Sequence, residues 1–231
     1  MEINKLTKEY LINFFKDFKI ISDNHFGHQK AFLEFEKIRQ KLSNDFFIFE
    51  ELMMVKINKS KTNSLLYLGD FCINKKDLNK TFKNIKEQTS RIKINNKILI
   101  KGNHDKENNE FYIKSGWDYV INKPVIFLND EIIELKNNFE YTGCIITKIN
   151  GKNVLFSHFG IFDNDPRYNN KFEKQIIYLQ NLYEEYNCEL NIHGHSHSSK
   201  TYTKKSFNVS VENINFKPIS FDEIIKKIEN L

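Results

Sequence analysis

All seven histidines of this 231-residue chain fall in four of five short polar pieces: "SDNHFGH" with His25 and His28, "KGNHD" with His104, "LFSHFG" with His158, and "NIHGHSH" with His193, His195 and His197, while the fifth, "LGDF", supplies Asp70. A chain that used histidine as a general surface or core residue would scatter it. Four of the pieces close an apolar, strand-like run, and in open α/β sheets the carboxyl ends of strands line the ligand crevice. Asp, His and Asn in such positions suit two divalent ions of hard to borderline character, since a carboxylate can bridge and neutral imidazoles complete each shell. Cysteine is absent from the five pieces, which disfavours a structural zinc site. Two ions about 3.5–4 Å apart would hold a hydroxide between them and polarise a phosphoryl oxygen for in-line displacement at phosphorus.

The elements that must position these residues follow from periodicity. Tyr10, Leu11, Phe14 and Phe15 keep helical spacing, so residues 1–17 read as an amphipathic leader helix. Short apolar runs at Lys19 to Ser22, Leu65 to Leu68 and Ile98 to Ile100 read as strands. They alternate with helical segments at Ala31 to Leu42 and Leu78 to Ile85, which predicts an α/β sheet with crossovers. In the second half, Cys144 to Lys148 and Asn153 to Phe156 flank Asn150-Gly151, a hairpin signal because both central positions of such a turn need positive φ. An antiparallel sheet is expected there. A helix from Phe172 to Tyr186, strands at Leu190 to His193 and Phe207 to Val211, and a final helix opened by a Ser220/Glu223 capping box complete the reading. No repeat or Gly/Ser/Pro linker divides the chain, so residues 18–231 are expected to form a single domain.

Composition bounds the setting. Hydrophobic residues at 40%, with 21 Phe and 10 Tyr, support a packed core, and charged residues at 28% of both signs argue against disorder. No apolar run approaches the roughly 20 residues of a membrane span; a cytoplasmic protein without a membrane partner is expected. Cys72, Cys144 and Cys188 are odd in number and far apart, so reduced thiols are expected. The net charge of +5 permits phosphate-bearing partners without demanding them. Lys75, Lys76, Lys80, Lys83 and Lys86, on one candidate helix, read as a solvated face rather than a nucleic-acid stripe.

Taken in order, DxH (Asp23, His25), GD (Gly69, Asp70), GNHD (Gly102 to Asp105), a His after a strand (His158) and GHxH (Gly194 to His197) resemble the five motifs of the calcineurin-like metallophosphoesterases. The fuller forms "SDNHFGH" and "HGHSH", with "NVSVENINFKPISFDEI", resemble a small bacterial and phage branch of largely uncharacterised phosphoesterases. The resemblance implies an α/β, four-layer αββα sandwich of two mixed β-sheets flanked by helices. It implies that Asp23, His25 and His197 bind one ion, that Asp70 bridges, and that Asn103, His158 and His195 bind the second. His104 would face the substrate and support the leaving group or the transition-state charge, with Asp105 holding its imidazole in one orientation. Mn²⁺ is the first expectation for both ions, with Fe, Ni or Zn feasible on the same ligands.

The activity so implied is hydrolysis of a nucleotide-type phosphodiester, preferred over a monoester, by attack of a metal-bridging hydroxide. A nuclease on DNA or RNA is the alternative within that class, and a non-catalytic metal-binding scaffold the alternative outside it. "GDFCINK" and "GNHD" stand where protein phosphatases carry GDxVDRG and a terminal Glu, so a phosphoprotein substrate is not expected. Taken singly, Asn103 would read as a turn residue and His158 as a core residue. His28 and His193 lie outside the minimal ligand set and read as structural or ligand-supporting residues, with substrate contact as the other option. Arg167, in "FDNDPRYNN", is either a bidentate phosphate clamp or an exposed loop arginine.

Overall fold

Thr7 caps the first helix by accepting the Tyr10 N–H, and α1 (Lys8–Phe14) buries Leu11 and Phe14, whose ring stacks on Phe18 with centroids 5.9 Å apart. The leader is thus docked through its apolar stripe, in a computed structural model that describes residues 6–59, 62–72, 77–162, 166–201 and 203–231, with the side chains of residues 36 and 166–170 outside that description. There follow β1 (Lys19–Ile21), α2 (Gln29–Glu34), α3 (Glu36–Arg39), α4 (Phe46–Asn58), β2 (Ser64–Tyr67), α5 (Leu78–Arg91), β3 (Asn96–Ile100), α6 (Asn109–Lys114) and β4 (Tyr119–Ile121). The second half holds β5 (Pro124–Leu128), β6 (Glu131–Glu134), β7 (Cys144–Ile149), β8 (Lys152–Ser157), α7 (Pro166–Glu185), β9 (Leu190–His193), β10 (Ser206–Asn208), β11 (Ile219–Ser220) and α8 (Phe221–Glu229).

Two mixed sheets result, ordered β11-β1-β2-β3-β4 and β10-β9-β8-β7-β5-β6. In the second sheet the alternation of side chains sorts the core into layers. Val154 and Phe156 join the cluster formed with the first sheet, while Leu155 between them packs with Leu179 and Leu182 of α7. Helices α4, α5 and α6 send Phe49, Met53, Ile85 and Tyr112 into the first cluster. The fold is therefore an α/β layered sandwich.

The second sheet corrects the antiparallel expectation. Only β5–β6 and β7–β8 run antiparallel, whereas β5–β7, β8–β9 and β9–β10 are parallel. The 20-residue α7 between β8 and β9 supplies the long crossover that a parallel pair needs. The hairpin itself forms as read, with Asn150 at φ 48° and Gly151 at φ 79°. The helix expected from Ala31 to Leu42 is interrupted at Phe35 (φ −103°, ψ 21°), whose ring lies stacked on His197 with centroids 4.0 Å apart. Lys80, Lys83 and Lys86 are exposed on α5, and Lys75 and Lys76 lie outside the described residues. Among the described residues no helix is long and apolar enough to cross a membrane, and none of the three cysteines forms a disulfide.

Candidate metal centre

The chain continues past the ends of β1 and β2 as two paired tails. Asp23 N–H donates to Gly69 O, His25 N–H to Asp70 O and Phe26 N–H to Phe71 O, at 2.9–3.1 Å. Five side chains then project from left-handed backbone: Asp23 (φ 63°), His25 (φ 54°), Asp70 (φ 56°), His195 (φ 64°) and His197 (φ 43°). Non-glycine residues adopt that region at a cost of order 1–3 kcal/mol each, and such strain concentrates where function needs it. Glycines permit the close approach of the loops. A Cβ on Gly102 would stand 2.3 Å from Asp70 Oδ1, and one on Gly194 would stand 2.4 Å from Asp23 Oδ2.

Two buried trios emerge, Asp23 with His25 and His197, and Asp70 with His158 and His195; within each trio the ligand atoms lie within 4.8 Å of one another. Asp70 joins them. Its Oδ2 is 3.6 Å from His25 Nε2 and 3.6 Å from His158 Nε2, while its Oδ1 accepts the His104 N–H at 2.8 Å. Asn103 Oδ1 lies 3.0 Å from His158 Nε2. The His158 Nδ1–H donates to Leu68 O at 2.7 Å, which leaves the Nε2 lone pair facing the trio. Asp23 Oδ2 accepts from His195 N–H and Ser210 Oγ–H, each at 2.9 Å.

Several of these atoms are placed to ligate a cation. His25 is 4% exposed, yet among the described residues neither ring nitrogen has a hydrogen-bond partner, and Asp23 Oδ1 is buried in the same condition. Buried polar atoms left unpaired cost about 1–3 kcal/mol each, a cost that coordination of a divalent ion would remove. The donor set of carboxylate, imidazole and amide oxygen suits two such ions.

Comparison with known proteins adds the fold and no chemistry. No protein-family model matches the chain. A structure of a protein of unknown function from Aquifex aeolicus superimposes with a TM-score of 0.63 at 25% identity, over 91% of this chain and 98% of that one. An uncharacterized protein of Methanocaldococcus jannaschii is 29% identical over 139 residues, 53% of this chain and 76% of its own length. A conserved uncharacterized protein of Streptococcus pneumoniae, called a predicted phosphoesterase, aligns at 15% identity over 84% of this chain and 70% of that one, with a TM-score of 0.31, too low to bear on function.

The remaining site residues separate by environment. His104 is exposed, with its ring centroid 5.2 Å from that of His25. His28 sits at the rim, its centroid 5.8 Å from His25 and 6.3 Å from His104, with its Nδ1 buried and without a hydrogen-bond partner among the described residues. His193 is fully buried and turned away: its Nδ1 lies 2.9 Å from Gly194 O and its Nε2 2.8 Å from Ser206 Oγ. Arg167 lies in the first turn of α7, and its side chain is outside the described residues. Asp105 corrects the expectation that it orients the His104 imidazole. Its carboxylate turns inward and accepts the N–H groups of Asp70 at 2.7 Å, Gly102 at 2.9 Å and Phe71 at 3.4 Å. Burial, reinforced by the Asp70 charge, pushes its carboxyl up to about 7. Asp105 therefore ties the GD and GNHD loops together.

Two residues absent from the sequence reading complete the centre. Glu212 Oε2 lies 3.2 Å from His197 Nδ1, and Glu212 Oε1 accepts from Arg39 Nε at 2.8 Å and Nη2 at 2.6 Å. Arg39 also donates to Asp23 O at 3.1 Å and Asn24 O at 3.3 Å, so it braces the loop that carries Asp23 and His25. The carboxylate fixes the proton on His197 Nδ1 and leaves Nε2 for a ligand. Burial works against the ionised Glu212, but His197 and Arg39 outweigh it and bring its carboxyl down to about 2.

Two expectations follow. Gly102→Ala should force Asp70 out of place, costing about 1–3 kcal/mol by overpacking and weakening ion binding; urea denaturation and metal titration would register both. The second concerns pH. Burial holds His25 and His195 neutral, well below the ordinary histidine value. Burial also pushes the His197 imidazole down, but Glu212 more than compensates and its pKa is raised, while burial raises that of Asp23. Ion binding must displace protons from these last two groups. Affinity should therefore climb as pH rises past the ordinary histidine value, with proton release on binding, read by calorimetry in buffers of different ionisation heat. A pH-independent affinity would contradict it.

Proposed function

We propose that this chain is a metal-dependent phosphoric ester hydrolase that acts on a nucleotide-type phosphodiester through two divalent ions, Mn²⁺ by first preference. The observation that supports this most is the position of Asp70, one carboxylate oxygen standing 3.6 Å from a histidine of each trio. In this reading Asp23, His25 and His197 hold one ion, Asn103, His158 and His195 the other, and Asp70 bridges. The motif resemblance to the calcineurin-like metallophosphoesterases points the same way. The bound pair would supply Lewis-acid polarisation of the phosphoryl oxygen and an activated water.

The chain's own groups do the rest. His104 is anchored through its backbone N–H to Asp70 while its exposed ring stands over the His25 side of the centre. An imidazole so placed can hydrogen-bond a phosphoryl oxygen as charge accumulates and pass a proton to the departing alkoxide. His28, at the rim, contacts the substrate in this reading, and His193, with both ring nitrogens engaged, supports the β9 end that carries His195 and His197.

The test is hydrolysis of bis(p-nitrophenyl) phosphate and p-nitrophenyl phosphate by metal-stripped protein reloaded with Mn²⁺. The diester should turn over faster than the monoester. His104→Ala should lower kcat by about 10²–10³, the size expected for one lost transition-state donor, with two ions still bound. Unchanged kcat in that variant would remove His104 from the chemistry. An absence of turnover with both ions bound would overturn the general phosphodiesterase reading and leave a highly selective enzyme or a scaffold.

A further inference from the structure

A recess opens next to the GNHD motif, and three lysines line it. Lys101, Lys106 and Lys123 face Glu140, Asn138 and Tyr141 around a cavity of about 240 Å³. Lys101 and Lys106 bracket the GNHD motif, so their Cα atoms lie within about 7 Å of Asn103 and His104 respectively, the reach of two residues of extended chain. Topology agrees. The recess is built from the carboxyl ends of β3 and β4 and from the 137–141 loop leading to the amino end of β7, and Lys101 N–H donates to Ile121 O at 3.0 Å. Cys144 at the start of β7 pairs with Ser157 at the end of β8, which places that loop on the same edge of the molecule as His158.

Lys101 makes the recess more than a patch of surface lysines. It is 7% exposed, its ammonium donates to the Glu107 carbonyl and lies over the Tyr112 ring at 5.6 Å, and no carboxylate reaches it at ion-pair distance among the described residues. Asp105, Glu107 and Glu140 act on it only at longer range, and with Lys106 and Lys123 it gives the recess three cationic side chains against the single carboxylate of Glu140, an excess of positive charge for an incoming anion. The volume is below the ~300–1,000 Å³ of pockets that enclose a drug-sized molecule, which suits one charged group. On a nucleotide chain whose scissile phosphate sits at the two-ion centre, the neighbouring ionised group is another phosphate.

We infer that this recess binds a second, non-scissile phosphate of the substrate, so that the preferred substrate carries at least two phosphates, as an oligonucleotide end or a nucleotide bisphosphate does. This rests on the phosphodiesterase reading for the scissile group, and the test separates the two. The Mn²⁺-reloaded protein is assayed on the dinucleotides ApA and pApA, which share the scissile diester and differ by one phosphate. Binding of adenosine 3′,5′-bisphosphate and adenosine 5′-monophosphate is measured in parallel by calorimetry. The expected result is about a tenfold preference for the two-phosphate member in each pair, as for one charge-assisted phosphate contact. The preference should fall towards one in Lys106→Ala/Lys123→Ala and invert in Lys123→Glu. A ratio of one in the wild type overturns the subsite, as a separate anion held in the recess would give. So does a preference that survives both lysine variants. A lysine-dependent preference in binding with no turnover of either dinucleotide would uphold the subsite and overturn the phosphodiesterase reading instead.

Discussion

Replacing Asp70 with asparagine should reduce phosphodiester turnover by at least about 10³-fold, beyond the about 10–100-fold typical of losing a residue that only orients a metal ligand. The substitution is nearly isosteric. Its Oδ1 can keep the His104 N–H bond, which holds the GNHD loop in place, so the change isolates the second oxygen and its charge. That oxygen is the atom placed between His25 and His158. Without it two cations would share a buried site with no charge between them, and bound metal should fall from two ions per chain to one or fewer. Elemental analysis after gel filtration, alongside the diester assay, reads both. Full activity with two ions retained would show that Asp70 does not bridge.

Glu212→Gln is expected to have the largest effect on stability, about 3–5 kcal/mol, because it leaves the Arg39 guanidinium buried without its counter-charge. Arg39 is 1% exposed, and beyond Glu212 its partners are backbone carbonyls and the faces of Phe35 and Phe49. The sign of the pH dependence follows from the depressed carboxyl of Glu212. The contribution is present above the ordinary carboxylate value near 4.5 and is lost as pH falls towards about 2. The gap between wild type and variant in urea denaturation should close over that window. A double substitution, Arg39→Met with Glu212→Met, should recover most of the stability, since a buried ion pair replaced by apolar groups is often neutral. Metal affinity at the Asp23 site should nevertheless stay about 10–100-fold weaker, because His197 would have lost the group that sets its tautomer. Recovery of both properties together would deny Glu212 its positioning role.

The contrast between these two carboxylates shows what the sequence could reveal. Asp70 stands at the end of an apolar run, in a short motif among others of its kind, and the rule that strand ends line the crevice groups it with Asp23, His25 and His158, while the bridging role comes from the motif resemblance. Glu212 and Arg39 carry no such pattern. Arg39 falls at the polar end of a candidate helix and Glu212 in a run of turn-forming residues, and only their 173-residue contact across the fold makes them a pair. Asp105 was misjudged for the same reason: local spacing ties it to His104, while the tertiary path turns its carboxylate towards the Asp70 amide.

Secondary structure divides in a similar way. Caps and turns with a local mechanism, such as Ser220 with Glu223 and Asn150-Gly151, were legible because the side chain or φ requirement acts within a few residues. Helix α4 was not, since Phe47, Ile48 and Val55 are exposed on one side while Phe49, Met53 and Ile57 are buried on the other. Apolar residues all round leave no amphipathic period to read. The exposed strand β6 lacks a buried face and so an alternation.

The most direct measurement of the central claim is anomalous diffraction from crystals of the Mn²⁺-loaded protein. The account predicts two peaks about 3.5–4 Å apart, one beside Asp23, His25 and His197, the other beside Asn103, His158 and His195, with the Asp70 carboxylate between them. A single peak, or peaks elsewhere with His25 and Asp23 still unligated, would contradict it.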